Sequence, residues 1–212
     1  MTYLISTLIF AVVGTAQLNI FEIEGIFSNA HINALEGHIE EYEYTDDDLL
    51  ILQYSSQEGS AESIAELNSL LSGYDFPIGV WFGPYKISID FEQLNNFDYI
   101  GFSPGLEINN VSFDESVEKK YCTVNICNFE ERKIIVSTNE GIYDNYLIVG
   151  TLGSFIENID FVISDQSIEF FKPSLFERFY IAISNPIFTY MFFVLGFALI
   201  GLELFAIGPG LM

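Results

Sequence analysis

A chain of 212 residues with seven basic and thirty acidic side chains carries a formal net charge of −23 at neutral pH, and half of its residues are hydrophobic. This length accommodates one α/β domain together with membrane segments, and the hydrophobic half excludes a disordered chain, in which charge comes with few apolar residues. The shortage of lysine and arginine argues against a nucleic-acid partner, because no basic stripe is available to neutralise phosphates. We interpret the acidic residues as a solvated outer surface.

The N-terminal segment, residues 1–17, is typical of a secretory signal peptide. Its residues are apolar from Tyr3 to Val13, and the small residues before Gln17 fit cleavage after Ala16. The segment lacks the positive charge with which such signals begin, and it is short for a membrane span, which needs about 20 residues. An uncleaved N-terminal anchor is therefore the alternative.

Residues 18–170 are predicted to form an α/β domain, because strand patterns alternate with helical patterns. The segment Asp48–Tyr54 is largely apolar, as expected for a parallel strand that is buried on both faces. Ile32, Leu35 and Ile39 follow a helical spacing. The predicted order is strand 18–25, helix 29–44, strand 48–54, helix 60–73, strand 76–82, a short helix 89–97 and strand 98–102.

This order of elements predicts candidate sites along one edge of a sheet. It gives right-handed βαβ crossovers and a parallel sheet with helices on its faces. Sites in such folds form at the carboxyl ends of the strands, which here are Tyr54–Gly59, Phe82–Ser88 and Phe102–Gly105. After Asn109 the pattern is weaker, and we predict strands 133–137 and 144–152, a helix 153–159, and a terminal hairpin of 160–164 with 167–171.

The cysteines and histidines give no metal site. Cys122 and Cys127 lie in a strand-like region without the further cysteines or paired histidines of a structural metal centre. They are interpreted as two buried thiols or, if the domain lies outside the cytoplasm, as a local disulfide. His31 and His38 share a helix face and are interpreted as solvent-exposed helix residues.

The C-terminal segment is predicted to be a transmembrane helix, residues 186–208, preceded by a juxtamembrane linker helix, residues 171–185. Its apolar residues run from Ile187 to Ile207 and are interrupted at only two positions, one of them Glu203. At about 1.5 Å per residue such a run crosses the roughly 30 Å hydrocarbon layer. Glu203 lies near the end of the span and is interpreted as an interface residue.

Two features give opposite orientations for the α/β domain. Lys172 and Arg178, the basic residues nearest the span, precede it and would place the domain in the cytoplasm by the positive-inside rule. A cleavable signal peptide would place it outside. Because two charges are weak evidence, we predict a membrane protein whose domain lies on the extracytoplasmic side.

Four segments together resemble one protease family. The segments FEIEGIFSNAHINALEGHIEEY, LILQYSSQEGSAESIAELNSLL and EGIYDNYLIVGTLGSFIENID are similar to its opening, second and closing parts. The fourth, from PSLFERFYIAISNP to GLELFAIGPG, carries an Asn-Pro, a glycine-containing span, and Glu-Leu-Phe before Pro-Gly in the family's order. The chain thus resembles the NfeD-like membrane-bound proteases of the ClpP/crotonase fold. The resemblance implies that fold, peptide-bond hydrolysis by a serine with a lysine base, assembly through the domain, and stomatin-like partners.

Ser88 takes the position of the family's serine nucleophile in this resemblance. Fifteen residues separate it from Pro104-Gly105, about the family spacing. The family's lysine base lies on a helix further along the chain, and the candidates here are Lys133 and Lys119, with Lys120 beside the latter. A lysine base must be uncharged, and the glutamates next to these lysines in the sequence oppose that state.

Departures from the family pattern predict that the catalytic apparatus is degenerate. Gln57, Glu58 and Gly59 stand where the resemblance implies a Pro-Gly-Gly turn whose N–H groups line the oxyanion hole. Glu58 brings a negative charge to the place where a negative oxygen develops, and the loss of one oxyanion donor already costs about 3 kcal/mol. Ile89-Asp90 replaces a small Ala-Gly pair after the serine and adds a second carboxylate.

We therefore predict a membrane-anchored, catalytically degenerate protease homologue that acts in the binding or assembly of membrane proteins and that self-associates. One alternative is an active Ser-Lys endopeptidase that cleaves hydrophobic peptides near the membrane. A second alternative is a structural scaffold for a stomatin-like partner. No cofactor is predicted.

Overall fold

The computed structural model describes residues 17–42, 44–58, 61–89, 91–143, 146–161, 168–171, 173–184 and 186–206. All but the last residue of the predicted signal peptide lies outside these ranges, as do Gly59 and Asp90, on which part of the site hypothesis depends.

The secondary structure alternates between strands and helices over most of the domain. The strands are β1 (Leu18–Ile26), β2 (Leu49–Glu58), β3 (Ile78–Phe82), β4 (Lys86–Ser88), β5 (Tyr99–Phe102), β6 (Glu107–Asn109), β7 (Ile126–Asn128), β8 (Lys133–Ile135), β9 (Gly141–Tyr143), β10 (Tyr146–Ile148) and β11 (Ile168–Phe171). The α-helices are α1 (Asn29–Tyr42), α2 (Ala61–Leu71), α3 (Glu115–Tyr121), α4 (Leu152–Asn158), α5 (Leu175–Ser184) and α6 (Pro186–Ala206), and a 3-10 helix spans Phe91–Asn96.

The main sheet confirms the predicted parallel α/β architecture. Its seven strands lie in the order β11-β1-β2-β3-β5-β10-β9. All neighbouring pairs in it are parallel except the edge pair β10-β9, which is antiparallel. The carboxyl ends of β1, β2, β3, β5, β10 and β11 therefore meet at one edge, which we call the carboxyl edge.

Burial on both faces explains the apolar runs of the central strands. Leu50 and Leu52 of β2 pack into the larger core, with α1 and α2, whereas Leu49 and Ile51 point to the opposite face. There they join a smaller core with Phe155 of α4. Successive side chains of a strand point to opposite faces, so most positions of a strand that is covered on both sides are apolar.

A second sheet of four short strands, in the order β4-β6-β8-β7, covers part of the larger core. Ile87, Ile108 and Ile134 turn inward from its three adjoining strands and are no more than 2% exposed. The helix α3, which begins after the N-cap Asp114, was not predicted from the sequence. The strand-like region from Cys122 onward is divided into the turn after α3, β7 and β8.

One prediction was wrong, and another falls largely outside the described residues. Of the predicted terminal hairpin, Ile168–Phe171 pairs in parallel with β1 along the edge of the main sheet, while 162–167, which include most of the other predicted strand, lie outside the described residues. His31 is not solvent-exposed but 3% exposed, because it turns back to the end of β1, where its Nε2 lies 3.1 Å from the carbonyl oxygen of Glu24.

The two C-terminal helices differ in their relation to the domain. Helix α5 contacts α1, whereas the side chains along α6 are exposed almost throughout. Over the part of the chain that is described, neither helix by itself is long and apolar enough to cross a membrane. Leu175–Ile183 and Ile187–Glu203 meet that requirement only as a pair, with a bend of 77° between them.

Candidate functional site

The candidate site lies where the carboxyl edge of the main sheet continues into the small sheet. From the end of β3, a turn through Gly83 and Pro84 leads directly into β4, which ends at Ser88. The predicted oxyanion-turn residues Gln57 and Glu58 continue β2 as strand, since Ile26 of β1 pairs with Glu58 and Gln57 lies at an irregularity of the pairing. Gly59 lies outside the described ranges.

The Ser88 hydroxyl is engaged by two asparagines. Ser88 pairs with Asn109 in the parallel register of β4 and β6, and its Oγ lies 3.5 Å from the Asn109 carbonyl oxygen. Asn110 Nδ2 donates a hydrogen bond of 2.5 Å to the same Oγ. Asn110 is held in a left-handed conformation, with φ of 59°, which asparagine tolerates better than most residues. Both neighbours of the hydroxyl are neutral amide groups, and neither can act as a base.

The lysine predicted as the base, Lys133, is paired with a carboxylate instead. Its Nζ lies 3.1 Å from Glu107 Oε1, and Lys86 Nζ lies 2.9 Å from Glu107 Oε2. The hydrogen bonds from Lys86 and then from Lys133 lower the pKa of Glu107, because they favour its charged form. Both lysine nitrogens thus contact the Glu107 carboxylate, and neither contacts the Ser88 hydroxyl.

Ser88 and Lys133 nevertheless share one face of the small sheet. Lys86 lies opposite Glu107, and Glu107 lies opposite Ile135. Residues two apart on a strand share a face, so Ser88 and Lys133 lie on the face of Glu107. Strand β6 separates their strands, which places the two backbones roughly 10 Å apart at about 4.8 Å per strand spacing. Among the described lysines, none has its Nζ within hydrogen-bond distance of Ser88 Oγ.

Lys119 lies on α3, away from the Ser88 hydrogen bonds. Together with Lys120 it occupies the last turn of that helix, where positive charge stabilises the partial negative charge of the helix end. The two lysines line a pocket of about 560 Å³ with Tyr143 and Tyr146. This position gives Lys119 a structural explanation, and the hydrogen bonds of the Ser88 hydroxyl do not involve it.

A separate pocket of about 440 Å³ lies between β1, α1 and α5 and contains the buried His31. Burial lowers the pKa of the imidazole, and this effect outweighs the opposing contacts with the backbone at Glu24 and Ser28. The half-buried His38 on the same helix is shifted in the same direction, also by burial. Both rings are therefore more easily protonated in the unfolded chain than in the folded domain.

We expect the stability of the domain to fall as the pH is lowered from about 6.5, the ordinary pKa of histidine, towards the folded-state pKa of His31. The unfolded chain binds protons in this window and the folded domain does not. Replacement of His31 by glutamine should flatten the dependence of the urea midpoint on pH between pH 7.5 and 5.5, and replacement of His38 as well should flatten it further. A wild-type slope that survives in the double variant would contradict this assignment.

Within the described residues, no group of three histidine, cysteine or acidic side chains is arranged to hold a metal ion. Cys122 and Cys127 are joined in a disulfide. The groups near Ser88, at the end of β4, are the amides of Asn109 and Asn110. On the same face of the small sheet, Glu107 is paired with Lys86 and Lys133.

The chain is similar in fold to solved structures of a membrane protease. No family model matches the sequence, and no curated protein matches it. Among solved structures the chain is similar to 1510-N, a membrane protease specific for a stomatin homolog from Pyrococcus horikoshii. The TM-score is 0.56 and the sequence identity is 9%, and the similarity covers 81% of this chain and 100% of that chain. The chain is similar also to a mutant of the 1510-N membrane-bound stomatin-specific protease in complex with a substrate peptide, with a TM-score of 0.55 and 7% identity over 82% and 100% of the two chains.

The comparison confirms the resemblance that was stated from the sequence, at the level of fold. The chain folds like an NfeD-like stomatin-specific protease domain. At such low identity this likeness concerns the path of the backbone, and the chemistry has to be argued from the residues of the present chain.

Proposed function

We propose that this chain is a membrane-anchored protein with a protease-like domain that binds a membrane-protein partner without cleaving it. The observation that carries the proposal is the pairing at the site. The Ser88 hydroxyl contacts Asn109 and Asn110, while the Lys133 ammonium group contacts Glu107. A serine nucleophile needs a base within hydrogen-bond reach, and here both members of the presumed dyad have other partners.

The charge of the surrounding sequence supports the same proposal. Amide cleavage passes through a negatively charged tetrahedral intermediate, which oxyanion-hole donors stabilise by about 3 kcal/mol each. Glu58 and Asp90 are acidic at positions where the resemblance implies glycine, and Glu58 continues a strand instead of forming a turn. Negative side chains at these positions would oppose the intermediate. They do not oppose the binding of a peptide that stays intact.

Membrane attachment is proposed for α5 and α6, with the domain on the extracytoplasmic side. The exposed apolar side chains of α6 belong to neither core of the domain, so α6 is proposed to enter the bilayer. Helix α5, which meets α6 at a bend of 77°, is proposed to lie outside the span. The Cys122–Cys127 disulfide supports an oxidising compartment. The residue limits of a signal peptide at 1–17, a domain at 18–170, a linker at 171–185 and a span at 186–208 belong to this proposal.

The partner is proposed to be a stomatin-like protein, because the solved structures with this fold are proteases specific for a stomatin homologue. Self-association through the domain is part of the same proposal. In the alternative of a purely structural scaffold, the chain would also hold this partner, but no peptide segment would bind at the carboxyl edge.

The alternative function is a Ser-Lys endopeptidase that becomes active by rearrangement. It is favoured by one observation, which is that Ser88 and Lys133 lie on the same face of the small sheet with only β6 between their strands. Lys133 would have to leave Glu107, lose its proton and reach across β6, and the Ser88 hydroxyl would have to leave Asn110.

A fluorophosphonate probe separates these functions, because it reacts covalently with an activated serine. We expect no labelling that depends on Ser88 when wild type is compared with Ser88→Ala and with the matched control Ser72→Ala, an exposed serine directly after α2. Glu107→Gln, which frees Lys133, should leave the chain unlabelled as well. Labelling that disappears in Ser88→Ala but persists in Ser72→Ala would establish the peptidase and overturn the binding proposal.

A further inference from the structure

Helix α5 presents apolar side chains to the outside although it packs on the domain. Leu175, Phe176 and Phe179 are 82%, 87% and 61% exposed. Ile181, which lies roughly opposite Phe176 and Phe179 on the helix, lines the pocket that contains His31. A helix that is apolar on both its inward and outward sides is expected to have a second apolar environment against its outward side.

The beginning of α5 is fixed by hydrogen bonds. Glu177 Oε2 accepts a bond of 2.6 Å from the Ser174 backbone nitrogen, and the Glu177 nitrogen donates to Ser174 Oγ at 3.3 Å. This reciprocal arrangement is a capping box. Arg178 Nε in addition donates to the Pro173 carbonyl oxygen at 2.9 Å. The first turn of α5 is therefore closed by contacts among Pro173, Ser174, Glu177 and Arg178.

The outward side of α5 is continuous with α6. The two helices meet at a bend of 77°. Phe188, Met191 and Phe193, which lie on different sides of α6 at 100° per residue, are 44–62% exposed, and a helix that is apolar all round is typical of a lipid environment. If α6 runs along the bilayer normal, α5 lies close to the membrane plane, as an interfacial helix does.

The topology places α5 at the edge that carries the candidate site. Strand β11 is parallel to β1, and β1 to β2. The chain leaves β11 at Phe171 and begins α5 at Leu175, next to Gly25 at the end of β1. The carboxyl ends of β3 and β5, which lead to Ser88, point in the same direction.

We propose that α5 lies in the interface of a zwitterionic bilayer and thereby turns the carboxyl edge, with the Ser88 site, towards the membrane. This rests on the membrane attachment proposed above and defines what the site can bind, namely a segment of the partner that lies directly at the membrane surface. A zwitterionic surface is specified because the net charge of −23 would repel an anionic one.

The depth of α5 can be measured with tryptophan. The full chain, carrying Phe176→Trp, is reconstituted into bilayers with and without brominated phosphatidylcholine. We expect about twofold lower emission of the added tryptophan in the brominated bilayer, because an interfacial helix buries its apolar face about 5–10 Å into the headgroup–acyl boundary. The buried native Trp81 contributes the same background to every variant.

The matched control is Ile142→Trp, at a position of β9 that is 67% exposed and lies at the opposite edge strand of the main sheet from β11. Its emission should not respond to bromine. If both variants are quenched equally, or if the emission of Phe176→Trp is not quenched, the placement of α5 is overturned.

The orientation of the domain can be measured from the two ends of β3. Asp75 precedes this strand and Pro84 follows it, and both are exposed. Nine residues at no more than about 3.3 Å each separate them by up to roughly 30 Å. A donor dye on Pro84→Cys should transfer energy to a headgroup-labelled acceptor lipid more efficiently than the same dye on Asp75→Cys. Equal or reversed efficiencies would overturn the inference.

Failure of this inference is distinguishable from failure of the proposed function. A chain that does not float with liposomes lacks the membrane attachment itself. A chain that floats, but in which Phe176→Trp is not quenched, is attached without an interfacial α5. Labelling of Ser88 by a fluorophosphonate bears on catalysis and leaves the orientation unaffected.

Discussion

Replacement of Phe155 by alanine is expected to lower the free energy of unfolding by about 3–5 kcal/mol, the range for loss of a fully buried phenylalanine. Phe155 is 0% exposed and lies at the centre of the smaller core, against Gly79 and Gly101 of the main sheet. It is the buried residue of the seven-residue helix α4, in which Leu152 and Ile156 pack on the same core but are only partly buried. The cavity left by the ring would open next to β3 and β5, whose carboxyl ends carry the candidate site.

The measurement is urea denaturation of wild type, Phe155→Ala and Glu157→Ala. Glu157 is exposed on the same helix, and its replacement should change stability by no more than about 0.5 kcal/mol. If Phe155→Ala proved as mild as Glu157→Ala, α4 would not cover the sheet as described, and the smaller core would contribute little to the fold.

The parallel sheet could be predicted because its signals are local. Apolar runs such as that of β2, followed by a helical spacing as in α1, define βα units without any knowledge of distant residues. The resemblance added the order of the units. The pairing of β11 with β1 could not be predicted, since it joins Leu18 to Ile168 across the whole domain and a four-residue strand carries little pattern of its own.

The small sheet was missed for a related reason. Each of its four strands has three residues, too few to show the alternation by which strands are recognised. Ile87, Ile108 and Ile134 bury its inner face only because they are brought together by tertiary folding. Helix α3 had a usable signal in Asp114 before the Glu115-Ser116 start, a typical N-cap arrangement.

The contacts of the candidate site could not be predicted from the sequence. The spacing to Pro104-Gly105 predicts a serine nucleophile at Ser88, and in the structure Ser88 is the last residue of β4 in the small sheet. No spacing could show that Glu107 would bind Lys86 and Lys133 together, because this depends on the register of three short strands. The sequence alone thus predicts in which part of such a fold a reaction would take place. Whether a side chain can take part in that reaction depends on its hydrogen bonds and ion pairs.

Fold and site are physically separable in this chain. The cores consist of apolar side chains on both faces of the main sheet, and neither contains Ser88, Lys133 or Glu107. Loss of a catalytic base therefore would not weaken the packing. A domain of this kind can keep its backbone path, and the binding edge that the path creates, after its chemistry has been lost.

Replacement of Gly101 by alanine is expected to destabilise the domain by about 1–3 kcal/mol, the usual range for overpacking. A Cβ at this position would lie 2.5 Å from Phe155 Cδ2 and 2.8 Å from Trp81 Cδ1, so both rings would have to move. The opposite result is expected for Gly37→Ala, where a Cβ in the exposed part of α1 would meet nothing within 4 Å. That change should stabilise the chain by roughly 0.5–1 kcal/mol, because glycine is unfavourable within a helix.

The combination of Gly101→Ala with Phe155→Ala tests whether the two residues are in contact. Removal of the ring vacates the space into which the new methyl group projects, so the loss in the double variant should be smaller than the sum of the single losses by about 0.5–3 kcal/mol. Urea denaturation of the four chains gives this coupling energy directly. Additive losses would mean that the strain at Gly101 arises from Trp81 alone, and α4 would then not press on β5 at the point where the sheet leads to the site.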